Sequence, residues 1–116
     1  MAKRRCISTA VYHSSEFFRL SDKAKVLYTY FMLNTDDYGF IENPELCMNL
    51  VKATQKEHNE LLGAGLIIQV GDKKAEAIKH FFAQNSIPRP KETLYAEELS
   101  LLNKNARKEY EYKEKT

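Results

Sequence analysis

The sequence predicts an α+β fold that is mainly α-helical with one small β-hairpin, and two features of its 116 residues lead to this prediction. The first is a long helical segment followed by two short ones, each with a recognisable start. The second is a pair of apolar strand segments joined by a glycine turn. This order is typical of a winged helix-turn-helix, which we expect over residues 1–87. A proline-containing hinge at 88–92 and a C-terminal amphipathic helix and tail at 93–116 would follow.

Composition limits the class of protein. A hydrophobic content of 43% supports one domain with a real core. No apolar run is long enough to cross a membrane, and the basic opening at 1–5 is not followed by the apolar stretch of a secretory signal. Cys6 and Cys47 lack the spacing of a metal or redox motif. We therefore expect a cytoplasmic protein with reduced, semi-buried cysteines.

The first elements follow from periodicity and breakers. Residues 3–12 should be extended and 15–19 a helical turn whose Phe17 and Phe18 anchor the core. The first long helix should run over 22–33 with Ser21 as its N-cap. Its apolar residues recur at i, i+3, i+4 and i+7, which defines one buried stripe. After a polar break, residues 38–41 form a short strand.

The next elements have clear start and stop signals. Asn43 followed by Pro44 starts a helix over 44–51, because proline is tolerated at the first helical position. Thr54 and Glu57 form a capping box for a third helix that ends at Gly65. Residues 66–70 and 73–78 form the hairpin, or wing. The inward-facing side chains expected to be buried together are Leu27, Phe31, Phe40, Leu50, Leu61, Leu62 and Ile67.

Apolar residues recur with helical spacing beyond the prolines at 88 and 90. Tyr95, Leu99, Leu102, Ala106 and Tyr110 are separated by 4, 3, 4 and 4 positions, which predicts an amphipathic helix. A short helix of this kind is marginal alone. It should therefore pack back on the domain or pair with another chain, so Leu99, Leu102 and Tyr110 are candidate protein contacts in a possible homo-oligomer.

Several segments resemble a known family. They are Met1–Arg5, Lys25–Tyr28, the run Asp36-Asp37-Tyr38-Gly39-Phe40-Ile41-Glu42-Asn43-Pro44, Gly65–Ile67, and Ile78–Phe81 with Asn85 and Ile87. Together they are similar to the N-terminal winged-helix domain of phage replisome organisers, which resemble the primosomal protein DnaD in organisation. The resemblance implies a DNA-replication accessory in a phage-infected bacterium. It covers roughly residues 1–100 and stops where the family's helical domain for single-stranded DNA and helicase loading would begin. Helicase loading is therefore not carried over, and the chain is either an excised domain or a stand-alone copy.

Candidate DNA contacts lie in three places. The third helix would present Gln55, Lys56 and Asn59, since amides can read adenine and lysine can contact phosphate. The wing carries Lys73 and Lys74, and the N-terminal arm carries Lys3, Arg4 and Arg5. Each set also has an ordinary explanation as solvated helix positions, as lysines protecting a strand edge or as a solubilising tail.

Charge placement keeps a different function class open. Residues 1–20 carry four basic residues against one acidic, residues 21–78 six against nine, and residues 79–116 eight against six. An acidic body predicts weak, sequence-indifferent duplex binding. It also suits an inhibitor of a host nucleic-acid enzyme, similar in kind to anti-CRISPR proteins, whose carboxylates replace phosphates. The carboxylates assigned to that protein contact are Asp36, Asp37, Glu57 and Glu60. A transcriptional repressor is a third alternative, and it requires base reading by the third helix.

The sequence predicts neither an enzyme nor a cofactor. The histidines at 13, 58 and 80 form no ligand motif, and His58 is expected at the edge of the core. No paired carboxylates, nucleophile motif or glycine-rich phosphate loop stand out. We expect no catalytic and no metal-binding residues.

Overall fold

The computed structural model describes residues 5–72, 74–87 and 90–113. Within these ranges the chain folds into an α+β arrangement of short helices around one longer helix, with two antiparallel strand pairs. The helices are α1 Thr9–Tyr12, α2 Ser15–Phe18, α3 Asp22–Leu33, α4 Pro44–Leu50, α5 Gln55–Gly63, α6 Phe81–Gln84 and α7 Ala96–Leu99; the strands are β1 Ile67–Val70, β2 Ala75–Ile78, β3 Leu102–Lys104 and β4 Tyr110–Tyr112.

Local capping signals set the helix boundaries. The Ser21 hydroxyl accepts from the Ala24 amide at 3.2 Å, which confirms the predicted start of α3. Asn43 caps α4 with Pro44 in its first turn, and the capping box of α5 is formed. Gly65 follows α5 with a φ of 74°, as a helix stop requires. The prediction of an extended segment at 3–12 is wrong for residues 9–12, since Ser8, itself extended, caps the one-turn helix α1.

The loop before α4 pairs with β2 through a single β-bridge. β1 pairs with β2 in the register Ile67 opposite Ile78 and Val70 opposite Ala75. Phe40 forms an isolated bridge with Ala77, so the predicted strand at 38–41 is reduced to single bridges. Gly39 has a φ of 88°, and a Cβ there would lie 2.6 Å from the Phe81 side chain. Only glycine therefore allows the loop to approach α6 this closely.

The first core lies between the helices and one face of this sheet. It joins α2, α3, α4, α5, both strands of the first pair and α6 through buried side chains. Leu27, Phe31, Leu61 and Ile67 are buried in it as predicted, and Leu62 packs at its margin. Leu50 is 57% exposed and Phe18 is 77% exposed, so both were wrongly assigned to the core. Cys47 is buried in this core, whereas Cys6 is exposed.

The second core covers the opposite face of the first strand pair. Its buried members are Phe40, Val70, Ala75, Ala77, Leu102 and Tyr110. Phe40 therefore belongs to this cluster and not to the helical core in which we expected it. All four residues of β2 are buried because the sheet is covered on both sides. The cover is the C-terminal hairpin of β3 and β4, in the register Leu102 opposite Tyr112.

The predicted C-terminal amphipathic helix is therefore wrong. Among the described residues of this segment, 93–113, the helical part is Ala96–Leu99, and residues 102–112 form a hairpin instead. The turn depends on Asn105, whose side-chain oxygen accepts from the backbone amides of Arg107 at 2.9 Å and Glu109 at 3.0 Å. Asparagine competes for backbone donors in this way and favours turns over helices. The apolar spacing fitted a helix, but turn chemistry and contacts with the sheet decided the fold. Pro88 and Arg89 of the predicted hinge lie outside the described residues.

None of the helices in the described part of the chain is both long and apolar enough to cross a membrane.

Candidate nucleic-acid interface

The outward face of α5 brings together three of the predicted contacts. Gln55, Lys56 and Asn59 are all exposed, because the opposite side of the helix places His58 and Leu61 in the interior. Residues three and four apart lie on one face of a helix, so Gln55 and Asn59 are neighbours. Their side chains are hydrogen-bonded, with the Gln55 amide nitrogen donating to Asn59 Oδ1 at 3.0 Å.

A polar relay fixes this face against the hairpin. The Gln55 amide nitrogen also donates to His58 Nδ1 at 2.9 Å, so the ring proton lies on Nε2. Nε2 in turn donates to the carboxylate of Glu76 on β2. His58 and Glu76 are both buried, which makes this bond a rigid link between α5 and β2. Sequence reasoning placed His58 at the core edge but gave no sign of its partner.

The relay limits how α5 could read bases. Bidentate reading of adenine needs both the N–H donor and the oxygen acceptor of one amide. Both N–H groups of Gln55 are used internally, one by His58 and one by Asn59. The Asn59 oxygen accepts the second of these bonds, so Gln55 has no N–H group left for a base, whereas Asn59 keeps both N–H groups and one acceptor lone pair. The arrangement therefore removes bidentate base reading by Gln55.

Two exposed lysines, one before α5 and one in the β1–β2 turn, have unusual backbone geometry. Lys52, in the turn between α4 and α5, has a φ of 57°, and Lys74, after the hairpin turn, has a φ of 52°. A positive φ is strained for residues other than glycine and can mark a functional site. Lys52 was not among our predicted contacts, and the only signal that could have found it is its place two residues before the Thr54 cap. Lys73 lies outside the described residues.

The N-terminal arm differs from the prediction. Arg5 has a side chain only 6% exposed, and its guanidinium donates to Thr35 Oγ1 at 3.0 Å, to the Thr35 carbonyl at 3.1 Å and to Asp37 at 3.0 Å. It also lies over the Phe81 ring. Arg5 is therefore an internal anchor and not the exposed DNA contact that we expected. Lys3 and Arg4 lie outside the described residues.

All four carboxylates assigned to a protein contact have internal roles. Asp36 accepts from the amides of Tyr38 and Phe40 and from the Thr93 hydroxyl, and Asp37 accepts from Arg5 and from the Lys91 amide at 2.9 Å. Glu60 accepts from the backbone and hydroxyl of Ser21 at 2.8 and 2.7 Å. These carboxylates therefore have fewer oxygen lone pairs left for a protein partner than the sequence suggested.

Glu57 is the fourth of these carboxylates. It accepts from the Thr54 amide at 2.9 Å within the capping box, and this hydrogen bond lowers the pKa of Glu57. The negative charge therefore stabilises the start of α5.

The C-terminal candidates also face inward. Leu102 and Tyr110 are buried in the second core, and Leu99 packs against it. The Tyr110 hydroxyl donates to the Tyr38 carbonyl, and burial raises the pKa of Tyr110 well above its usual range, so the phenol keeps its proton. The sequence left two alternatives for these residues, packing on the domain or pairing with another chain, and in the structure they pack on the domain.

His80 and Glu109 form a second polar pair, at the junction of the two cores. Their Nε2 and Oε2 atoms are 2.9 Å apart, beside a polar depression of about 330 Å³. Burial lowers the pKa of His80.

Over residues 5–72, 74–87 and 90–113, no three side chains of metal-ligating type come together. The comparisons with family models, curated proteins and solved structures returned no match for the chain.

Proposed function

We propose that residues 5–87 form a winged helix-turn-helix that contacts the nucleic-acid backbone weakly and without sequence preference, as a DNA-replication accessory. In this proposal α3, α4 and α5 are the three helices and the β1–β2 hairpin is the wing. The bridge between Phe40 and Ala77 supports this proposal, because a winged helix has a third, short strand that pairs with its hairpin. The resemblance of the sequence to phage replisome organisers gives the replication context.

The observation on which the proposal depends is the exposed α5 face with its flanking lysines. Lys52, Lys56 and Lys74 are all exposed, and lysine contacts phosphate as a point charge without reading bases. Both Gln55 N–H groups are bonded within the chain, to His58 and to Asn59, which removes one of the donor–acceptor pairs that a sequence-specific repressor would use. Few phosphate contacts imply a non-specific dissociation constant of roughly 10⁻⁶ to 10⁻⁴ M at physiological salt.

The alternative, a protein-binding inhibitor, has less support from the structure than from the charge pattern of the sequence. An inhibitor that imitates phosphates needs carboxylates whose acceptor atoms face the partner. Asp36, Asp37, Glu57 and Glu60 instead accept hydrogen bonds within the chain.

Three lysines with the same backbone strain provide a matched test. Lys52, Lys74 and Lys108 all have a positive φ, of 57°, 52° and 60°. Replacing any of them with glycine removes one charge and relieves the same strain. Lys108 lies in the turn between β3 and β4, outside the predicted contact residues, and serves as the control.

Fluorescence anisotropy with random-sequence duplexes at several salt concentrations measures the effect. We expect Lys52→Gly and Lys74→Gly each to weaken binding equally on all sequences and to reduce the salt slope by about 0.9, the value for one phosphate contact. Lys108→Gly should bind as the parent does. Equal behaviour of the three variants would remove α5 and the hairpin turn from the interface. Nanomolar, sequence-selective binding would favour a repressor or origin binder, and absent binding with tight capture of a host nuclease would favour the inhibitor.

A further inference from the structure

A buried carboxylate on α7 lacks an internal partner. Glu98 is 9% exposed, and within residues 5–72, 74–87 and 90–113 no group donates a hydrogen bond to its carboxylate or forms an ion pair with it. Glutamate is almost never buried this deeply without a partner, because a carboxylate loses its hydration on burial. Such a group in a native protein requires an explanation, and the binding of an ion or ligand is one.

The turn of the β1–β2 hairpin fixes the Glu98 side chain. Gly71, in that turn, has a φ of 76°, and a Cβ built on it would lie 3.2 Å from Glu98 Cγ. The glutamate stem therefore lies against the bare backbone of a glycine. Its oxygens are not enclosed, since among the described residues only His80 Nδ1 is both fully enclosed and without a partner. The carboxylate is thus held in place and open to the two surface depressions that Glu98 lines.

The larger depression, of about 520 Å³, lies between the hairpin turn and α7. Asp72, Glu97 and Glu98 place three carboxylates on its walls, and Leu101 adds an apolar side chain. Its volume is within the range of small-ligand sites, roughly 300–1,000 Å³. The carboxylates favour a cation, and Leu101 favours an alkyl chain attached to that cation.

Two lysines lie near Glu98 without pairing with it. Lys74 lines the smaller depression, of about 290 Å³, and Lys113 donates its amide to the Leu101 carbonyl at 3.0 Å. Both lysines are exposed, and an exposed ammonium stays hydrated. They therefore do not replace the partner that a buried carboxylate needs.

A guanidinium group meets these requirements better than a metal ion or an ammonium. A divalent metal ion takes six or more oxygen ligands, and the described residues bring no three metal-ligating side chains together. An ammonium is strongly hydrated, so its transfer to a buried carboxylate is costly, whereas a guanidinium is weakly hydrated and can donate two parallel N–H groups to one carboxylate. We infer that Glu98 binds the guanidinium of an arginine side chain or of an arginine-like small molecule, with the alkyl chain along Leu101. The inference is independent of the proposed nucleic-acid function.

Titration of the full chain with N-acetyl-arginine amide, followed by NMR of the backbone amides, tests the site. We expect saturable shifts at Gly71, Asp72 and residues 97–101, with a dissociation constant on the order of 1 mM. N-acetyl-citrulline amide has nearly the same shape but no charge, and it should give no saturable shift. Equal shifts with the two probes, or none with either, would overturn the inference.

A matched pair of substitutions separates binding from folding. Glu98→Gln loses the charge but no internal bond, so its urea midpoint should equal or exceed that of the parent, while the dissociation constant for N-acetyl-arginine amide rises at least tenfold. Glu16→Gln removes the same charge from the depression beside His80, which shares no lining residue with the larger one, and should bind as the parent does. Parent-like binding by Glu98→Gln contradicts the site, and a lower urea midpoint contradicts the absence of an internal partner.

Agmatine distinguishes the two sources of the guanidinium. It carries the same group on an alkyl chain that ends in an ammonium, which Asp72 or Glu97 can contact. Agmatine binding at least tenfold tighter than that of N-acetyl-arginine amide would assign the site to a free small molecule. Equal or weaker binding of agmatine would assign it to an arginine side chain of a partner protein.

Discussion

The two cores of this chain differ in how the sequence marks the elements that enclose them. The helical core is enclosed by elements whose ends are marked locally, by Ser21, Asn43 and the Thr54 capping box. The C-terminal hairpin has one local marker, the Asn105 turn, and its position depends on distant partners. The Tyr110 amide donates to the Lys79 carbonyl at 2.9 Å, and the Phe40 ring stacks on Tyr95 with centroids 5.1 Å apart. β3 and β4 each bury one of their three residues, and elements with few buried apolar contacts open at a lower free energy than the rest of the structure.

This difference has a consequence for hydrogen exchange. The C-terminal segment 90–113 covers a sheet that is already supported on its other face by the helices. Loss of the cover exposes one face of β1 and β2, whereas loss of the helical core removes both the helices and the support of the sheet. We therefore expect the amides of α3 and α5 to exchange only on global unfolding, and those of β3 and β4 to exchange through a smaller opening.

The largest expected effect comes from the helical core. Phe31 is fully buried, and its ring lies against the His58 ring. Phe31→Ala leaves a cavity among neighbours that cannot collapse into it, and it should lower the free energy of unfolding by roughly 3–5 kcal/mol. Urea unfolding followed by circular dichroism measures this loss. A change below about 1 kcal/mol would contradict a closely packed site at Phe31.

The elements of the helical core could be predicted from the sequence, and the C-terminal hairpin could not. The bounds of α3, α4, α5 and the first hairpin could be predicted because caps, Pro44 and Gly65 act within a few residues of the backbone groups that they satisfy. The C-terminal hairpin could not, because its apolar spacing equally fitted a helix and Asn105 was not recognised as a turn residue. Contact with Phe40 and Val70, far away in the sequence, also favours the hairpin, and no local pattern shows that contact.

The candidate site shows a similar limit. The exposure of Gln55, Lys56 and Asn59 follows from the phase of α5, which the capping box sets. The internal use of Arg5 and Asp37 does not follow from any local pattern, since their partners lie about 30 or more residues away. Asp36 has two local partners, the Tyr38 and Phe40 amides, and one distant partner, Thr93. Charged residues were assigned to the surface because unpaired charge is rarely buried. Here the charges pair with one another and with backbone groups across the junction of the two cores.

The second prediction tests that junction at Asp36. Its carboxylate holds the turn before Phe40 through two backbone amides and holds the C-terminal segment through the Thr93 hydroxyl. Asp36→Ala removes all three bonds, and Asp36→Asn keeps an oxygen for the turn but loses the charge. Hydrogen bonds to charged groups contribute about 1.5–3 kcal/mol each, so the alanine variant should lose more stability than the asparagine variant.

The matched control for Asp36 is Thr93→Val, which keeps the two turn bonds of Asp36 and removes its contact to the C-terminal segment, together with the bond from the Tyr95 amide to the Thr93 hydroxyl. Hydrogen exchange read out by mass spectrometry should show faster exchange over 91–112 in Thr93→Val, with α3 and α5 unchanged. If exchange quickens equally in α3, the two cores unfold as one unit, and the distinction between them fails.

The smallest expected effect is a pH dependence located where the two cores meet. Burial lowers the pKa of His80 below its ordinary value of 6.5, although Glu109 beside it acts in the opposite direction. The unfolded chain therefore takes up a proton more readily than the folded protein, so stability falls as the pH falls below 6.5. The pKa of Glu109 is lowered as well, chiefly by the hydrogen bond from Asn105. Its contribution is present above its ordinary 4.5 and is lost as the pH falls below that value.

A His80→Gln variant separates this imidazole from the other titrating groups. Glutamine can still donate to Glu109 but takes up no proton, so the variant should lose less stability than the parent when the pH is lowered from well above 6.5 to just below it. Urea midpoints at both pH values give the comparison, and Glu109→Gln reports the contribution of the partner. The exchange rate of the β3–β4 amides should follow the same pH dependence, since Glu109 directly precedes β4. If His80→Gln has the same pH dependence as the parent, protonation of His80 does not weaken the junction, and the lower stability of the C-terminal hairpin depends on its hydrogen bonds alone.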